Sequence, residues 1–189
     1  MLESHKPETA TKPVAFGGVF RRGFAYGADC FIAFTFFVIT QLLILVPLRD
    51  LFGITTAWFH DGVHTEIYTL VTVSIPVWLY FILPERSASG ATIGKRLLKL
   101  SVRTLPTAEQ ISGRQALLRN AVKLLPWEIA HLANNLPVPM MYADEPAFRL
   151  GFVASGVLMG GLMVSVVVHR QRRGLHDLAA GTCVVHHKP

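Results

Sequence analysis

The sequence predicts an all-α membrane protein, a four-span transmembrane helical bundle with a structured cytoplasmic loop. Three observations predict it. Of 189 residues 51% are hydrophobic and 16% charged, well under the roughly 25% charge of soluble domains. Long apolar runs approach or exceed the ~20 residues that cross a ~30 Å hydrocarbon core. The net charge of +6 is concentrated in blocks beside those runs, a placement that suits anionic lipid head groups and not nucleic acid.

Residues 1–20, with Pro7 and Pro13, read as a flexible cytoplasmic tail with no cleavable signal peptide. The first span covers about 23–48 and carries one charge, Asp29. A polar loop leads to the second span, about 67–83. Pro76 predicts a kink there, with neighbouring helices satisfying the freed carbonyl. Trp78 and Tyr80 near its end are expected as interfacial aromatics. In the basic stretch that follows, LLKLSVRTL alternates as a short strand or an amphipathic interfacial segment would, with Thr182, Val184 and Val185 as candidate strand partners. Residues 117–139 are apolar but hold Lys123, Glu128, His131, Asn134 and Asn135. The last span is about 148–168, and its Gly156-Val-Leu-Met-Gly160 spacing lets helix backbones approach closely. Cys30 and Cys183 suggest no disulfide framework.

Charge settles the ambiguous segment. Sixteen of the 18 Lys and Arg lie in the N-terminal tail, in 84–123 and in the C-terminal tail, leaving Arg49 and Arg149. Cytoplasmic loops carry the Lys and Arg excess, so all three blocks belong inside. Three spans would put the C-terminal block outside, whereas four bring both termini to the cytoplasmic face of the plasma (inner) membrane. Residues 117–139 are therefore expected to cross, with Asp144 and Glu145 facing outward. A helix lying on the membrane surface is the alternative.

Asp29 is the most informative single residue. A carboxylate at the centre of a membrane helix costs roughly 2.5–3.5 kcal/mol, so it must face the bundle interior and meet a partner. Arg22 lies seven residues earlier, beyond the three- or four-residue reach of an intrahelical pair. Arg119 and Lys123 are the expected partners. Asp177, beyond the last span, should reach the same membrane surface. Arg22, Asp29, Arg119 and Asp177 thus form a candidate cluster at the inner mouth, either an ion or proton relay or a salt-bridge clasp. Glu128, His131 and Asn135 recur at i, i+3 and i+7, on one helix face, and could line a cavity.

Four segments together resemble the RDD family: Arg21-Arg22-Gly23-Phe24-Ala25-Tyr26-Gly27-Ala28-Asp29; Gly90-Ala91-Thr92-Ile93-Gly94-Lys95-Arg96-Leu97-Leu98; Arg119-Asn120; and Arg173-Gly174-Leu175-His176-Asp177-Leu178-Ala179-Ala180-Gly181-Thr182. The resemblance covers about 16–186 and places the family's arginine and two aspartates on Arg22, Asp29 and Asp177. It departs at Lys99, where members often have glycine. It implies a transporter of unspecified substrate.

Other motifs fail on spacing. Gly90 to Lys95 has three residues between its glycines where a phosphate loop needs four, so Lys95 and Arg96 are expected to contact lipid head groups. His60-Asp61-Gly62-Val63-His64 imitates a zinc-protease pattern with Asp for Glu, but Gly62 weakens the helix it would need. No metal, cofactor or nucleophile–base pair is expected, and no enzymatic activity. The expected function is passage of an ion or small solute through a polar bundle interior. The alternative is a non-catalytic accessory protein that binds or regulates another membrane protein. The bilayer, a second copy or a partner membrane protein are the expected partners.

Overall fold

The computed structural model describes residues 15–144 and 148–186. The expected tail through residue 14, with Pro7 and Pro13, and the loop residue Glu145 lie outside the described residues. Among the described residues three helices are long and apolar enough to cross a membrane: α1 (Val19–Leu51), α2 (Gly62–Arg86) and α5 (Leu150–Val168). A fourth long helix, α4 (Gly113–Asn135), is more polar. Between and after these lie the short helices α3 (Ile93–Leu97) and α6 (Leu175–Ala179) and the strands β1 (Leu100–Thr104) and β2 (Thr182–His186).

Local chemistry explains the boundaries. α1 starts at Val19, ahead of the arginine pair, so Arg21 and Arg22 occupy its first turns. α2 starts at Gly62, earlier than the apolar run suggests, because the Asp61 carboxylate accepts from His64 N at 2.9 Å and caps it. The His60–His64 motif is thus used locally: His64 stacks on Trp58 and His60 on Tyr142. Pro47 and Pro76 do not break their helices. Each follows a five-residue π turn, Gln41–Leu45 and Leu70–Ser74. Proline clashes with the carbonyl four residues back, at Leu43 and Thr72 here, and a wide turn at that point gives the ring room. α4 begins with a reciprocal cap, Gln115 N donating to Ser112 Oγ and Ser112 N to Gln115 Oε1.

α4 runs antiparallel to α2 along its whole length. Asn120 near its start bonds Glu85 at the end of α2, and Asn135 at its end bonds Glu66 near the start of α2. α5 then returns along α4. The Arg149 guanidinium donates to the Ala133 and Leu136 carbonyls, and Ser155 Oγ donates to Pro126 O at 2.7 Å. Gly151 sits so close that a Cβ there would lie 2.6 Å from the Ala133 Cβ.

The expected strand pairing forms. β1 and β2 are antiparallel, with Val102 opposite Val184, and Phe16 bridges Val185. The start of α1, the stretch between α2 and α4, and the C-terminal strand therefore share one end of the molecule. The hydrophobic core lies there too, in Ala25, Leu100, Val102, Ile111, Ala116 and Val184. The spans instead expose Phe31, Phe34, Leu43 and Val157. A helix in lipid has no reason to hide apolar side chains, whereas the end that meets water needs a core of its own. Cys30 and Cys183 are both free.

Two glycine-like positions shape this end. Gly94 packs so tightly on α1 that a Cβ would stand 2.2 Å from Ala25 O. Lys99 holds φ 56°, the left-handed conformation that glycine takes without penalty, and its N–H closes the turn on Arg96 O at 3.0 Å. The turn at this departure from the family pattern is therefore intact, at the expense of backbone strain. Lys99→Gly is expected to raise stability by about 1 kcal/mol, read as a higher thermal midpoint in detergent. Gly94→Ala should lower it sharply, since the clash is with backbone.

Candidate functional site

Glu85, in the last turn of α2, is fully buried. A carboxylate removed from water must be paired and hydrogen-bonded, and four groups converge on it. Lys95 Nζ from α3 donates to Oε1 at 2.8 Å; Arg119 Nε and Asn120 Nδ2 from α4 donate to Oε2, each at 3.0 Å. Lys123 Nζ stands 3.6 Å from Oε1. Arg119 also forms an ion pair with Asp177 of α6. Arg22 of α1 donates to the other Asp177 oxygen at 2.6 Å, and Gly174 N adds a bond at 3.0 Å. One continuous chain, Arg22–Asp177–Arg119–Glu85–Lys95, therefore joins α1, α6, α4, α2 and α3.

Burial alone would raise the Asp177 pKa, but Arg119 and Arg22 overcome it and hold the carboxyl well below its usual range. Beside it, burial and the neighbouring Arg119 push His176 down to about 3, so this histidine stays neutral.

Of the candidate cluster, Arg22, Arg119 and Asp177 come together. Asp29 faces inward and is fully buried, but neither Arg119 nor Lys123 is its partner. Its carboxylate accepts from Tyr80 Oη at 2.6 Å, Thr92 Oγ1 at 2.6 Å and Gly94 N at 2.8 Å. Three neutral donors suffice, while Arg119 is drawn to two other acids. Asp29 joins the main chain of ion pairs indirectly, as Lys95 Nζ lies 3.4 Å from Thr92 Oγ1. Lys95 also departs from expectation. It is 9% exposed and turned onto Glu85, so its charge is used inside the protein and not on a lipid head group. Arg96 is exposed and ties its own loop, donating to Ala91 O and Ser89 Oγ, each at 3.0 Å.

Two further polar layers lie between α2 and α4. Ser74 Oγ and Trp78 Nε1 each donate to Glu128 at 2.8 Å, with His131 Nδ1 3.9 Å from the same carboxylate. Asn135 Nδ2 donates to Glu66 at 2.8 Å and meets Thr69 Oγ1 at 3.1 Å. The trio Glu128, His131 and Asn135 is thus covered by α2. Trp78 and Tyr80, expected as interfacial anchors, instead donate inward, because Glu128 and Asp29 there require donors. Among the described residues no group of three or more His, Cys, Asp or Glu is arranged to hold a metal ion.

Sequence reasoning passed over Glu85. A signal was present: between residues 84 and 123 the acids are Glu85 and Glu109, set among eight Lys and Arg. An acid at the end of an apolar run amid such an excess is a candidate ion-pair centre.

These features define an integral membrane helical protein whose segments are tied at one end by buried ion pairs. The chain belongs to the RDD family, whose model matches residues 16–181. No curated protein and no solved structure gives a significant match. Arg22 and Asp177, the arginine and second aspartate of the family pattern, bond each other directly, while Asp29 fastens α1 to the α3 turn.

Breaking the chain at its shared member should cost most. Arg119→Met leaves Glu85 and Asp177 under-paired and is expected to cost about 3–5 kcal/mol, seen as loss of monodisperse protein, whereas Arg96→Gln should change stability by about 0.5 kcal/mol or less. His176 gives a pH signature. Its folded pKa of about 3 lies below its ordinary value, so the unfolded chain binds more protons in between. Stability should therefore be full above about pH 6.5 and fall by up to about 1.4 kcal/mol per unit as pH drops below it. Thermal midpoints from pH 7 to 4.5 should show a shallower slope in His176→Gln.

Proposed function

We propose that this RDD family protein crosses the plasma (inner) membrane four times, with both termini cytoplasmic, and passes an ion or small solute along the polar seam between α2 and α4. The observation that carries this reading is the seam itself. It runs from the Glu66–Asn135 pair through Glu128, His131, Ser74 and Trp78 to the Glu85 cluster. The α4 stretch from residue 119 to 135 is about 24 Å long at ~1.5 Å per residue, most of a ~30 Å hydrocarbon core.

The antiparallel match of α4 to α2 supports the fourth crossing. If α2 spans, a helix paired with both of its ends spans as well. The gathering of the described members of all three basic blocks, Arg21 and Arg22, the 84–123 stretch and Arg170 to Arg173, toward the β1–β2 end supports placing that end in the cytoplasm. In this reading the Glu85 cluster closes the inner end. Glu128 and His131 keep 23% and 27% of their side-chain surface open, so they are the groups that meet the passing ion. Histidine changes charge near neutral pH, which suits a proton or proton-coupled cation. In this reading the role is non-catalytic, and Ser74, whose Oγ donates to Glu128 at 2.8 Å and lies 3.5 Å from His131 Nδ1, steadies the carboxylate.

A second reading, an accessory protein that binds a partner membrane protein or a second copy, draws on α5. A Cβ on Gly156, Gly160 or Gly161 would meet nothing within 4 Å. Such a small-residue face accepts a neighbouring helix closely.

Purified protein in liposomes under a sodium or proton gradient tests the first reading. The expected result is flux above protein-free vesicles, lowered about tenfold or more by Glu128→Gln at unchanged abundance. Flux absent from well-folded wild type favours the accessory reading. Topology is checked by Asp144→Cys with a membrane-impermeant maleimide. Labelling from the outer face is expected, and labelling solely from the cytoplasmic face would overturn the fourth crossing.

A further inference from the structure

A cavity of about 320 Å³ lies between α1 and α5, with Arg119 and Lys123 of α4 in its lining. Its walls are apolar, with Gly23 on α1 and Met163 and Val166 on α5. Met163 is exposed, so the cavity opens toward the lipid-facing surface. Its floor carries the basic Arg22 and Lys123, with the neutral His176 beside them.

The floor is under-satisfied. Lys123 is 8% exposed, yet its Nζ makes no hydrogen bond. It rests 3.5 Å above the Phe81 ring and 3.6 Å from Glu85, whose two oxygens already accept from Lys95, Arg119 and Asn120. The Nδ1 of His176 is likewise buried without a partner. Four cations, Arg22, Lys95, Arg119 and Lys123, stand against the three carboxylates Asp29, Glu85 and Asp177. A buried ammonium short of bonds in a cation-rich setting calls for an anion with acceptor oxygens. The apolar walls call for hydrocarbon. A soluble anion would answer the floor alone, and a neutral lipid the walls alone.

We propose that this cavity binds one anionic membrane lipid, its phosphate on Lys123 beside Arg22 and an acyl chain between α1 and α5. The volume falls at the lower end of the roughly 300–1,000 Å³ of ligand pockets, suited to a head group and the upper part of a chain. Lipid occupancy requires no conduction through the seam, although Arg119 and Lys123 belong both to the cavity wall and to the Glu85 cluster.

Native mass spectrometry of the full chain in neutral detergent tests this. The probes are phosphatidylglycerol, phosphatidylcholine with the same chains, and inorganic phosphate. The expected result is saturable retention of one phosphatidylglycerol, about tenfold stronger than phosphatidylcholine and not displaced by millimolar phosphate. Lys123→Met should abolish that preference. Because this substitution touches the ion pairs and can cost folding, Met163→Trp provides the independent check: it fills the apolar wall, leaves the charges in place and should reduce retention by a similar factor. Equal retention of the two lipids overturns the proposal. So does wild-type retention by Met163→Trp, the signature of lipid bound elsewhere on the surface. Full displacement by inorganic phosphate overturns it too, in favour of a free-anion site.

Discussion

A carboxylate with no access to water stands at the centre of this molecule. Glu85 would be untenable alone in a low-dielectric interior, and the groups that make it tenable come from two other segments, α3 and α4. In a soluble protein such a cluster is often no better than well-packed hydrocarbon. Membrane helices differ, because lipid tails are as apolar as leucine and give helices little drive to associate. The ion pairs then do what a hydrophobic core does elsewhere. Sharing Arg119 between Glu85 and Asp177, and Asp177 between Arg119 and Arg22, makes the position of each segment depend on the others.

This dependence accounts for the two-part construction. The apolar spans need no core of their own, and their side chains face outward. The end that gathers β1, β2 and the start of α1 is built like a small soluble domain, with a compact core and a two-stranded sheet. The ion-pair chain lies where the two meet. Gly94 is the tightest point of that junction, bringing a backbone N–H onto Asp29 where any Cβ would collide with α1.

Much of this was legible in the sequence, for physical reasons that act locally. Apolar runs of sufficient length identified the spans, and the alternation around Leu100 to Thr104 identified the strand. The three basic blocks anticipated that their segments would meet at one end. Arg22, Arg119 and Asp177 were expected together and are. The partners of Asp29 were not legible, because the choice is a competition in three dimensions: Arg119 satisfies two acids better placed for it, and Asp29 takes hydroxyls and a backbone N–H. Lys95 differs from expectation for the same reason: the lone acid at the end of the apolar run marks Glu85 as an ion-pair centre, but not which of eight cations folds onto it. The π turns before Pro47 and Pro76 were hidden as well. They follow from proline's clash with the preceding carbonyl, but a kink answers that clash equally well on paper.

Three of the inward-facing acids, Asp29, Glu85 and Glu128, are equipped for different tasks. Asp29 is held by three neutral donors in a sealed space, and loss of any one would leave a buried charge under-satisfied. Glu85 is held by cations from α3 and α4, so releasing it means separating charges and moving helices. Glu128 is different in kind. It accepts from Ser74 and Trp78, keeps part of its surface open, and has His131 at 3.9 Å, beyond hydrogen-bonding distance. A carboxylate so placed can exchange one partner for another by small side-chain movement. If charge passes through this bundle, the step that repeats on every passage belongs at Glu128, and the slower opening belongs at Glu85.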